Sequence, residues 1–186
     1  FNVKGKTIGI IGLGRIGREV AKMAYGLGMN IMGHDSFLKD PFDLDVEFAD
    51  GQSLKTKITP VSIKELLNNS DFVTVHISGA GQSVIGAKEI AMMKDNAAII
   101  NTARGGVVNE EALLEALEDG KLKYAGLDVF ENEPAYLSNE PLLGLPNVLA
   151  TPHLGYVEQG GYELYFSIAF DNVVKFAEGK PENLAN

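Results

Sequence analysis

Several residue types and segments are absent or scarce in this sequence of 186 residues, and each absence excludes a class of function. There is no cysteine, which excludes disulfide bonds and thiolate metal sites, and we expect no metal centre. Basic residues are few, 16 against 25 acidic ones, and the net charge of −9 argues against broad affinity for nucleic acid or anionic lipid. No apolar run is long enough to span a bilayer, and the sequence as given shows no signal-peptide pattern. The absence of cysteine does not identify the compartment, but nothing demands an oxidising one, and a cytoplasmic location is our expectation.

The remaining composition is that of an ordinary globular domain. Hydrophobic residues make up 45% of the chain and charged residues 22%, which argues against disorder and allows a sizeable core. The chain starts at Phe1 rather than at Met, and it trails off in PENLAN without a stop signal. We therefore expect it to be part of a longer polypeptide.

Apolar runs rich in β-forming residues recur along the chain, and several are apolar almost throughout, as strands covered on both faces tend to be. The predicted strands are 7–11, 30–35, 57–59, 72–76, 97–101, 124–129 and 147–151. Two polar segments, 36–55 and 131–146, lack clear periodicity, and we predict an irregular surface excursion and a loop there.

Helical patterns lie between these runs. Ser62 is a possible N-cap of one helix, and Asn109 of another that ends at Gly120. In the first helix one face carries apolar residues at helical spacing, namely Ile16, Val20, Met23, Ala24 and Leu27. Strands that alternate with helices predict an α/β fold: a doubly wound parallel sheet of the Rossmann dinucleotide-binding type with helices on both faces.

The stretch IGIIGLGRIG carries three glycines, Gly12, Gly14 and Gly17, between the first strand and the first helix. In a dinucleotide site the first glycine allows a tight turn, the second lets the backbone approach a pyrophosphate, and the third lets the helix pack closely on the strand. Amide groups at the start of the helix would then face the phosphates. A glycine-rich turn without a ligand is the alternative.

Asp35 stands at the end of the second strand, where an acid completes the dinucleotide motif. It can accept hydrogen bonds from the adenosine ribose, and its charge would repel a 2′-phosphate. No basic residue follows at once, so the sequence favours NAD over NADP. A solvated acid at a strand end is the alternative.

Three further polar residues follow three successive predicted strands: Arg104, Glu133 and His153. Ligands of a doubly wound sheet sit beyond the carboxyl ends of its strands, so we expect these side chains near the far end of the dinucleotide. Their types suit the reduction of a 2-oxo acid. An arginine can grip the carboxylate and polarise the carbonyl, a histidine can exchange the proton near neutral pH, and a nearby glutamate would favour the imidazolium form.

Each residue of this set also has a purely structural interpretation. His153 could be a capped loop histidine, Arg104 a surface arginine beside a glycine turn, and Glu133 a solvated acid. The joint placement favours function. His34 is interpreted as structural, whereas His76, at the end of the fourth predicted strand, is expected to line the cofactor groove.

Four segments together resemble the cofactor-binding domain of the D-isomer-specific 2-hydroxyacid dehydrogenases, and the resemblance covers essentially the whole chain. They are GKTIGIIGLGRIG (5–17), INTARGGVVNEEAL (100–113), AGLDVFENEP (125–134) and TPHLG (151–155). The resemblance implies an NAD-dependent oxidoreductase that moves a hydride between NADH and the C2 carbonyl of a 2-oxo acid. It also implies that 1–186 is the NAD-binding domain, while the substrate domain, built from both ends of the longer chain, is absent. The isolated domain is then expected to be weakly active or inactive.

The resemblance assigns roles residue by residue. Arg104 binds the substrate carboxylate and carbonyl, His153 is the acid/base, Glu133 is its partner, and Asp128 contacts the nicotinamide amide. Further cofactor contacts are expected from Arg15 and Ile16 over the pyrophosphate, Thr102 and Ala103 beside the nicotinamide, and His76, Ser78 and Gly155. Ser78 stands where members of the family usually carry a proline, and the segment 76–86 is shorter by about two residues than is usual.

Two other functions stay open at this point. Some relatives are corepressors that sense NAD(H) without catalysis, and an inert fragment would bind no NADH. Formate dehydrogenase, another relative, usually pairs its histidine with glutamine, and Glu133 counts against it. The resemblance implies a homodimer joined through the cofactor domain. An aromatic stripe at 162–176 is either a contact surface or, as is more common for such stripes, ordinary core.

Overall fold

The computed structural model describes residues 2–79 and 83–184, and it divides into two compact units, Phe1–Pro152 and His153–Asn186. The strands are β1 (Thr7–Ile11), β2 (Asn30–His34), β3 (Phe42–Glu47), β4 (Ser53–Ile58), β5 (Phe72–Val75), β6 (Ala97–Asn101), β7 (Leu122–Leu127) and β8 (Val148–Ala150). The helices are α1 (Arg15–Gly26), α2 (Ile63–Asn69), α3 (Ala87–Met92), α4 (Glu110–Glu118) and α5 (Gln159–Ala177), with a short 3-10 helix at Pro141–Gly144.

Six strands form one parallel sheet in the order β2-β1-β5-β6-β7-β8. The chain first moves outward from β1 to β2 and then returns to the other side of β1 to form β5. The direction of winding therefore reverses between β1 and β5, and ligands of such sheets bind outside the carboxyl ends of the strands at this point.

Apolar cores lie on both faces of the sheet. Ile10 and Ile11 are neighbours on β1 and point to opposite faces, and each belongs to a different buried cluster. The cluster around Ile11 includes residues of α2 and α4, and the cluster around Ile10 includes Ala21 and Ala24 of α1. The prediction of a doubly wound Rossmann-type sheet with helices on both faces is thus confirmed.

The two predicted helix caps are present. The side chain of Ser62 accepts a hydrogen bond from the backbone of Glu65 at 3.1 Å, and Asn109 accepts one from Ala112 at 2.9 Å. Each satisfies a backbone N–H that the first turn of its helix leaves without a partner. The segment 131–146 is mostly loop as predicted, but Pro141–Gly144 forms the 3-10 helix.

The prediction of an irregular excursion at 36–55 was wrong. Strands β3 and β4 pair antiparallel there, with Phe42 opposite Ile58. The run 57–59, predicted as a strand, overlaps the end of β4 and so belongs to this hairpin, not to the parallel sheet. The hairpin forms because Leu44, Val46 and Ile58 bury their side chains in the core beside α1.

The predicted apolar face of α1 is only partly the buried one. The structure buries Gly17, Ala21 and Ala24, while Ile16, Met23 and Leu27 are exposed. Small residues face the sheet because the helix lies close to β1 and to the turn that follows it, and larger side chains do not fit there.

Among the described residues of the second unit, 153–184, α5 is the one helix or strand, and it begins after Glu158. The Glu158 carboxylate caps it by accepting hydrogen bonds from Gly160 and Gly161. The interpretation of the stripe as ordinary core was wrong, because no residue of α5 is buried. The described part of this unit offers no second helix or strand against which the aromatic side chains of α5 could pack. The stripe comprises Tyr162, Tyr165, Phe166, Ala169, Val173 and Phe176.

Among the described residues, no helix is both long enough and apolar enough to cross a membrane.

Candidate functional site

The glycine turn joins β1 to α1 and leaves no room for side chains at two of its positions. Gly12 has φ +96°, and a Cβ there would lie 2.4 Å from the carbonyl oxygen of His76. A Cβ on Gly17 would lie 1.9 Å from the carbonyl oxygen of Gly12. At Gly14, the N-cap of α1, a Cβ would meet nothing within 4 Å, so the start of the helix is open. An open helix start above a glycine turn fits the pyrophosphate of a dinucleotide.

The Asp35 carboxylate lies beside this turn and stabilises the loop after β2 by hydrogen bonds to the backbone. One oxygen accepts the backbone N–H of Leu13 at 2.9 Å, and the other accepts those of Phe37 at 2.8 Å and Leu38 at 3.3 Å. Burial by itself would raise the pKa of Asp35, but these three donors and the neighbouring His34 outweigh it, so the pKa lies below its ordinary value. The group therefore carries a full negative charge at neutral pH.

Two cavities flank Asp35. The smaller, about 260 Å³, lies at the switch point of the sheet and is lined by Gly12, Gly14, Asp35, His76 and Ser78, among others. The larger, about 690 Å³, lies between α1 and the β3–β4 hairpin. The structure thus brings five of the predicted cofactor residues to one cavity. Residues 80–82, within the segment 76–86 that the sequence predicts to be shortened, lie outside the described residues.

His76 follows β5 at the rim of the smaller cavity. Its ring Nε2 is 3.0 Å from the hydroxyl of Thr74, and its backbone N–H donates to the carbonyl of Ile11 at 2.7 Å. Burial lowers the pKa of His76, which favours the neutral ring. A neutral ring beside a cofactor groove adds no charge to it.

Arg104 stands in a turn after β6 that a buried asparagine holds in place. The side chain of Asn101 accepts the backbone N–H of Ala103 at 3.1 Å and donates to the carbonyl of Arg104 at 3.0 Å. The exposed Arg104 guanidinium donates to the Ala103 carbonyl at 2.6 Å. Thr102, next to it, is exposed, whereas Ala103 is buried. The sequence analysis missed Asn101, although a polar residue that ends an apolar strand is a usable signal.

The Arg104 turn lies close to two other loops of the site. A Cβ on Gly105 would lie 1.9 Å from the carbonyl oxygen of Phe130, so glycine is required for the contact with the loop after β7. A Cβ on Gly79 would lie 3.4 Å from that of Arg104, which places Arg104 beside the segment that follows β5. The carboxyl ends of β5, β6 and β7 therefore meet around Arg104.

Glu133 and Asp128 both belong to the loop after β7. The Glu133 carboxylate accepts the backbone N–H of Phe130 at 3.0 Å. Asp128 is buried and accepts a hydrogen bond of 2.5 Å from the hydroxyl of Thr151, which follows β8. The sequence analysis missed Thr151, because nothing in a linear motif shows which hydroxyl will meet a buried acid 23 residues away.

His153 and Gly155 belong to the second unit, whereas Arg104, Asp128 and Glu133 belong to the first. His153 has φ 55°, in the left-handed region that residues other than glycine seldom adopt. Its ring meets that of Tyr156 edge to face, with 5.7 Å between the centroids.

Residues 1–155 match the model of the D-isomer specific 2-hydroxyacid dehydrogenase, NAD binding domain. The chain belongs to this family. The match includes the glycine turn, Asp35 and the segments that carry Arg104, Glu133 and His153. The family resemblance and the predicted cofactor, NAD, are confirmed.

Individual relatives agree with this assignment. A D-3-phosphoglycerate dehydrogenase from Methanocaldococcus jannaschii is 41% identical over 187 residues, which cover 98% of this chain and 33% of the relative. The crystal structure of a glyoxylate reductase from Paecilomyes thermophila has a TM-score of 0.76 at 39% identity, over 94% of this chain and 50% of that one. That of a D-lactate dehydrogenase with NAD+ from Lactobacillus jensenii has a TM-score of 0.80 at 27% identity, over 100% of this chain and 57% of that one.

The chain spans from 33% to 57% of the length of these three relatives. All three are named as oxidoreductases, so the alternative of a non-catalytic NAD(H)-sensing module gains no support from them.

Proposed function

We propose that this chain is the cofactor domain, over 1–186, of an NAD-dependent dehydrogenase of D-2-hydroxy acids. The observation that carries the proposal is the family match over residues 1–155, which includes both the dinucleotide turn and the segments of Arg104, Glu133 and His153. The substrate-binding wall opposite this domain would come from the rest of the longer protein.

The first half of the proposed cofactor site lies at the glycine turn. Gly12, Gly14 and Gly17, with Arg15 and Ile16, would hold the pyrophosphate at the open start of α1. The charged Asp35 would accept hydrogen bonds from the ribose hydroxyls and repel a 2′-phosphate, which favours NAD over NADP. His76 and Ser78 would line the same groove.

The second half would hold the nicotinamide. We assign Asp128 to its amide, with Thr102, Ala103 and Gly155 beside it. The hydrogen bond from Thr151 supports the assignment, because it holds the Asp128 carboxylate in one orientation. Bound NADH supplies the hydride.

The chain's own residues would bind the substrate and move the proton. The planar guanidinium of Arg104 can hold the carboxylate of a 2-oxo acid by two parallel hydrogen bonds and polarise the neighbouring carbonyl. His153 would give its proton to the carbonyl oxygen during reduction and take it back during oxidation. Glu133 would stabilise the imidazolium form that carries this proton. The left-handed backbone of His153 supports a functional role, since such outliers cluster at active sites.

By resemblance to the family, we further propose a homodimer that is joined through this domain. Sedimentation equilibrium of the full-length protein would give twice the protomer mass, and a monomer at micromolar concentration would contradict it.

The test of the proposed function is a substrate screen. The full-length protein is mixed with NADH and a panel of 2-oxo acids that begins with glyoxylate and pyruvate, and the loss of NADH absorbance is followed. We expect turnover with at least one acid. Arg104→Gln should raise KM for that acid and lower kcat/KM, whereas Lys64→Gln, an exposed cation on α2, should change neither. No turnover across the panel would contradict the proposal.

A further inference from the structure

Two carboxyl side chains that the proposed reaction does not use, Glu110 and Glu140, meet beside the loop after β7. Glu110 begins α4 and is half-buried. Glu140 is buried and accepts the backbone N–H of Leu142 at 3.1 Å. The two carboxyl groups form a hydrogen bond with each other. Ionised carboxylates only accept hydrogen bonds, so this contact requires that the pair hold one proton between its two members.

The pair is connected to the peptide group between Phe130 and Glu131. The Glu110 carboxyl accepts the backbone N–H of Glu131 at 2.6 Å. The same peptide group lies against Gly105, where a Cβ would be 1.9 Å from the carbonyl oxygen of Phe130 and 2.6 Å from the nitrogen of Glu131. Gly105 directly follows Arg104. One peptide group is therefore in contact both with Glu110 and with the turn that carries Arg104.

We propose that Glu110 and Glu140 are positioning residues, which hold the Phe130–Glu131 peptide against the Arg104 turn as long as they share a proton. Without this proton two negative charges face each other at hydrogen-bond distance, and their repulsion draws Glu110 away from the peptide N–H. The Arg104 turn then loses part of its support, so the guanidinium holds the carboxylate of a 2-oxo acid less well. The inference rests on the proposed function in one respect, the role of Arg104.

The carboxyl groups around Glu110 determine the pH at which the proton is lost. Burial, together with the carboxyls of Glu140 and Glu131, raises the pKa of Glu110 to about 7. The pair is therefore protonated at pH 6 and loses its proton at higher pH. The 3-10 helix after Glu140 contains no charged residue. The other charged residues near the first turn of α4 are Glu111 of α4, Glu133 of the loop after β7, and Lys88 and Glu89 of α3, the helix that packs on α4.

The pH profile of KM tests the inference in the full-length protein with the best 2-oxo acid of the screen. An amide at residue 110 can accept the N–H of Glu131 and donate to Glu140, but it has no proton to lose. Between pH 6 and pH 8.5 the wild-type KM should rise roughly 2- to 10-fold relative to that of Glu110→Gln, which corresponds to the loss of one hydrogen bond.

Glu140→Gln should give the same profile as Glu110→Gln, because removing either charge ends the repulsion. Glu111→Gln, which changes an exposed acid in the same turn of α4, should follow the wild type. All other titrating groups are common to these proteins, so the ratio of KM values isolates the carboxyl pair. A ratio that stays constant with pH for both Glu110→Gln and Glu140→Gln would overturn the inference.

Amide hydrogen exchange gives a second test that needs no turnover. In the full-length protein at pH 8, the peptide that contains Phe130 and Glu131 should exchange faster in the wild type than in Glu110→Gln, and at pH 6 the two rates should agree. A peptide from α2 should exchange equally in both proteins. Equal exchange of the Phe130–Glu131 peptide at both pH values would overturn the inference. The predicted difference in exchange, without turnover of any 2-oxo acid, would overturn the proposed function alone.

Discussion

Asp35 combines an observed structural role with a proposed role in recognising the cofactor. Its carboxylate organises the loop after β2 through three backbone donors, and the same donors keep it charged. Replacing it therefore removes both the loop contacts and the negative charge that a 2′-phosphate would meet.

Asp35→Ala should relax the preference for NAD over NADP by roughly tenfold or more, because the repulsion of the extra phosphate is lost. The measurement is the ratio of the two dissociation constants in the full-length protein. Asp40→Ala, an exposed acid in the same loop, serves as the control. If the wild type already binds NADP as tightly as NAD, the role assigned to Asp35 is wrong.

Glu110, at the first turn of α4, forms a carboxyl cluster with Glu131 and Glu140. Its carboxylate accepts the backbone N–H of Glu131 at 2.6 Å. Burial, together with the nearby carboxylates of Glu140 and Glu131, raises the pKa of Glu110 from 4.5 to about 7. The folded state therefore binds a proton more tightly than the unfolded chain does.

The sign of the resulting pH dependence follows from linkage. The stabilising contribution of the bound proton is complete below about pH 4.5 and is lost as the pH rises through about 7. Glu110→Gln cannot lose this proton, so its denaturation midpoint should rise relative to that of the wild type as the pH rises through this range. Glu111→Gln, an exposed neighbour, should keep the wild-type profile. If the denaturation midpoints of Glu110→Gln and the wild type change with pH in parallel, protonation of Glu110 is not linked to stability.

At the scale of elements, the sequence predicts the six parallel strands well because the central ones, β1, β5 and β6, are largely apolar, as strands covered on both faces tend to be. The hairpin was missed for the opposite reason. β3 reads FDLDVE, in which Phe42, Leu44 and Val46 alternate with acids, and this strict alternation is a strand signal that its high polarity obscured. In β4 only Ile58 is buried, so its pattern carries almost no signal.

The residues of the candidate site likewise fall into those that the sequence predicts and those that it misses. Residues that follow strands, such as Arg104 and Glu133, can be found along the chain because a parallel sheet places strand ends together. Asn101 and Thr151 act through tertiary hydrogen bonds, which no periodic pattern encodes. The burial of small residues on α1, rather than Met23 and Leu27, likewise depends on how closely the helix approaches β1.

That close approach gives a prediction for α1. In Gly17→Ala the new Cβ would meet the Gly12 carbonyl oxygen at 1.9 Å, which forces the helix away from the turn. We expect a destabilisation of about 1–3 kcal/mol in chemical denaturation, with weaker NADH binding. Gly26→Ala in the same helix meets nothing within 4 Å, so it should be neutral or slightly stabilising. Equal stabilities of the two variants would contradict the predicted clash between residue 17 and the Gly12 carbonyl oxygen.

At the scale of the whole molecule, the proposed function makes this chain a cofactor domain whose substrate-binding wall lies elsewhere in a longer protein. The first unit holds the dinucleotide turn, Arg104, Asp128 and Glu133, the second unit starts at His153, and the relatives extend well beyond both. The net charge of −9 agrees with a small-molecule enzyme rather than a protein of nucleic acid or membrane surfaces. The account as a whole depends on one claim, that His153 transfers the proton when a 2-oxo acid is reduced.

The rate of a single turnover tests this claim most directly. The full-length protein, at saturating NADH and with the best 2-oxo acid of the screen, is compared with His153→Ala in a stopped-flow measurement of NADH consumption. Loss of a positioned acid/base should slow the chemical step by roughly 10²- to 10⁴-fold. An unchanged rate in His153→Ala would contradict the account.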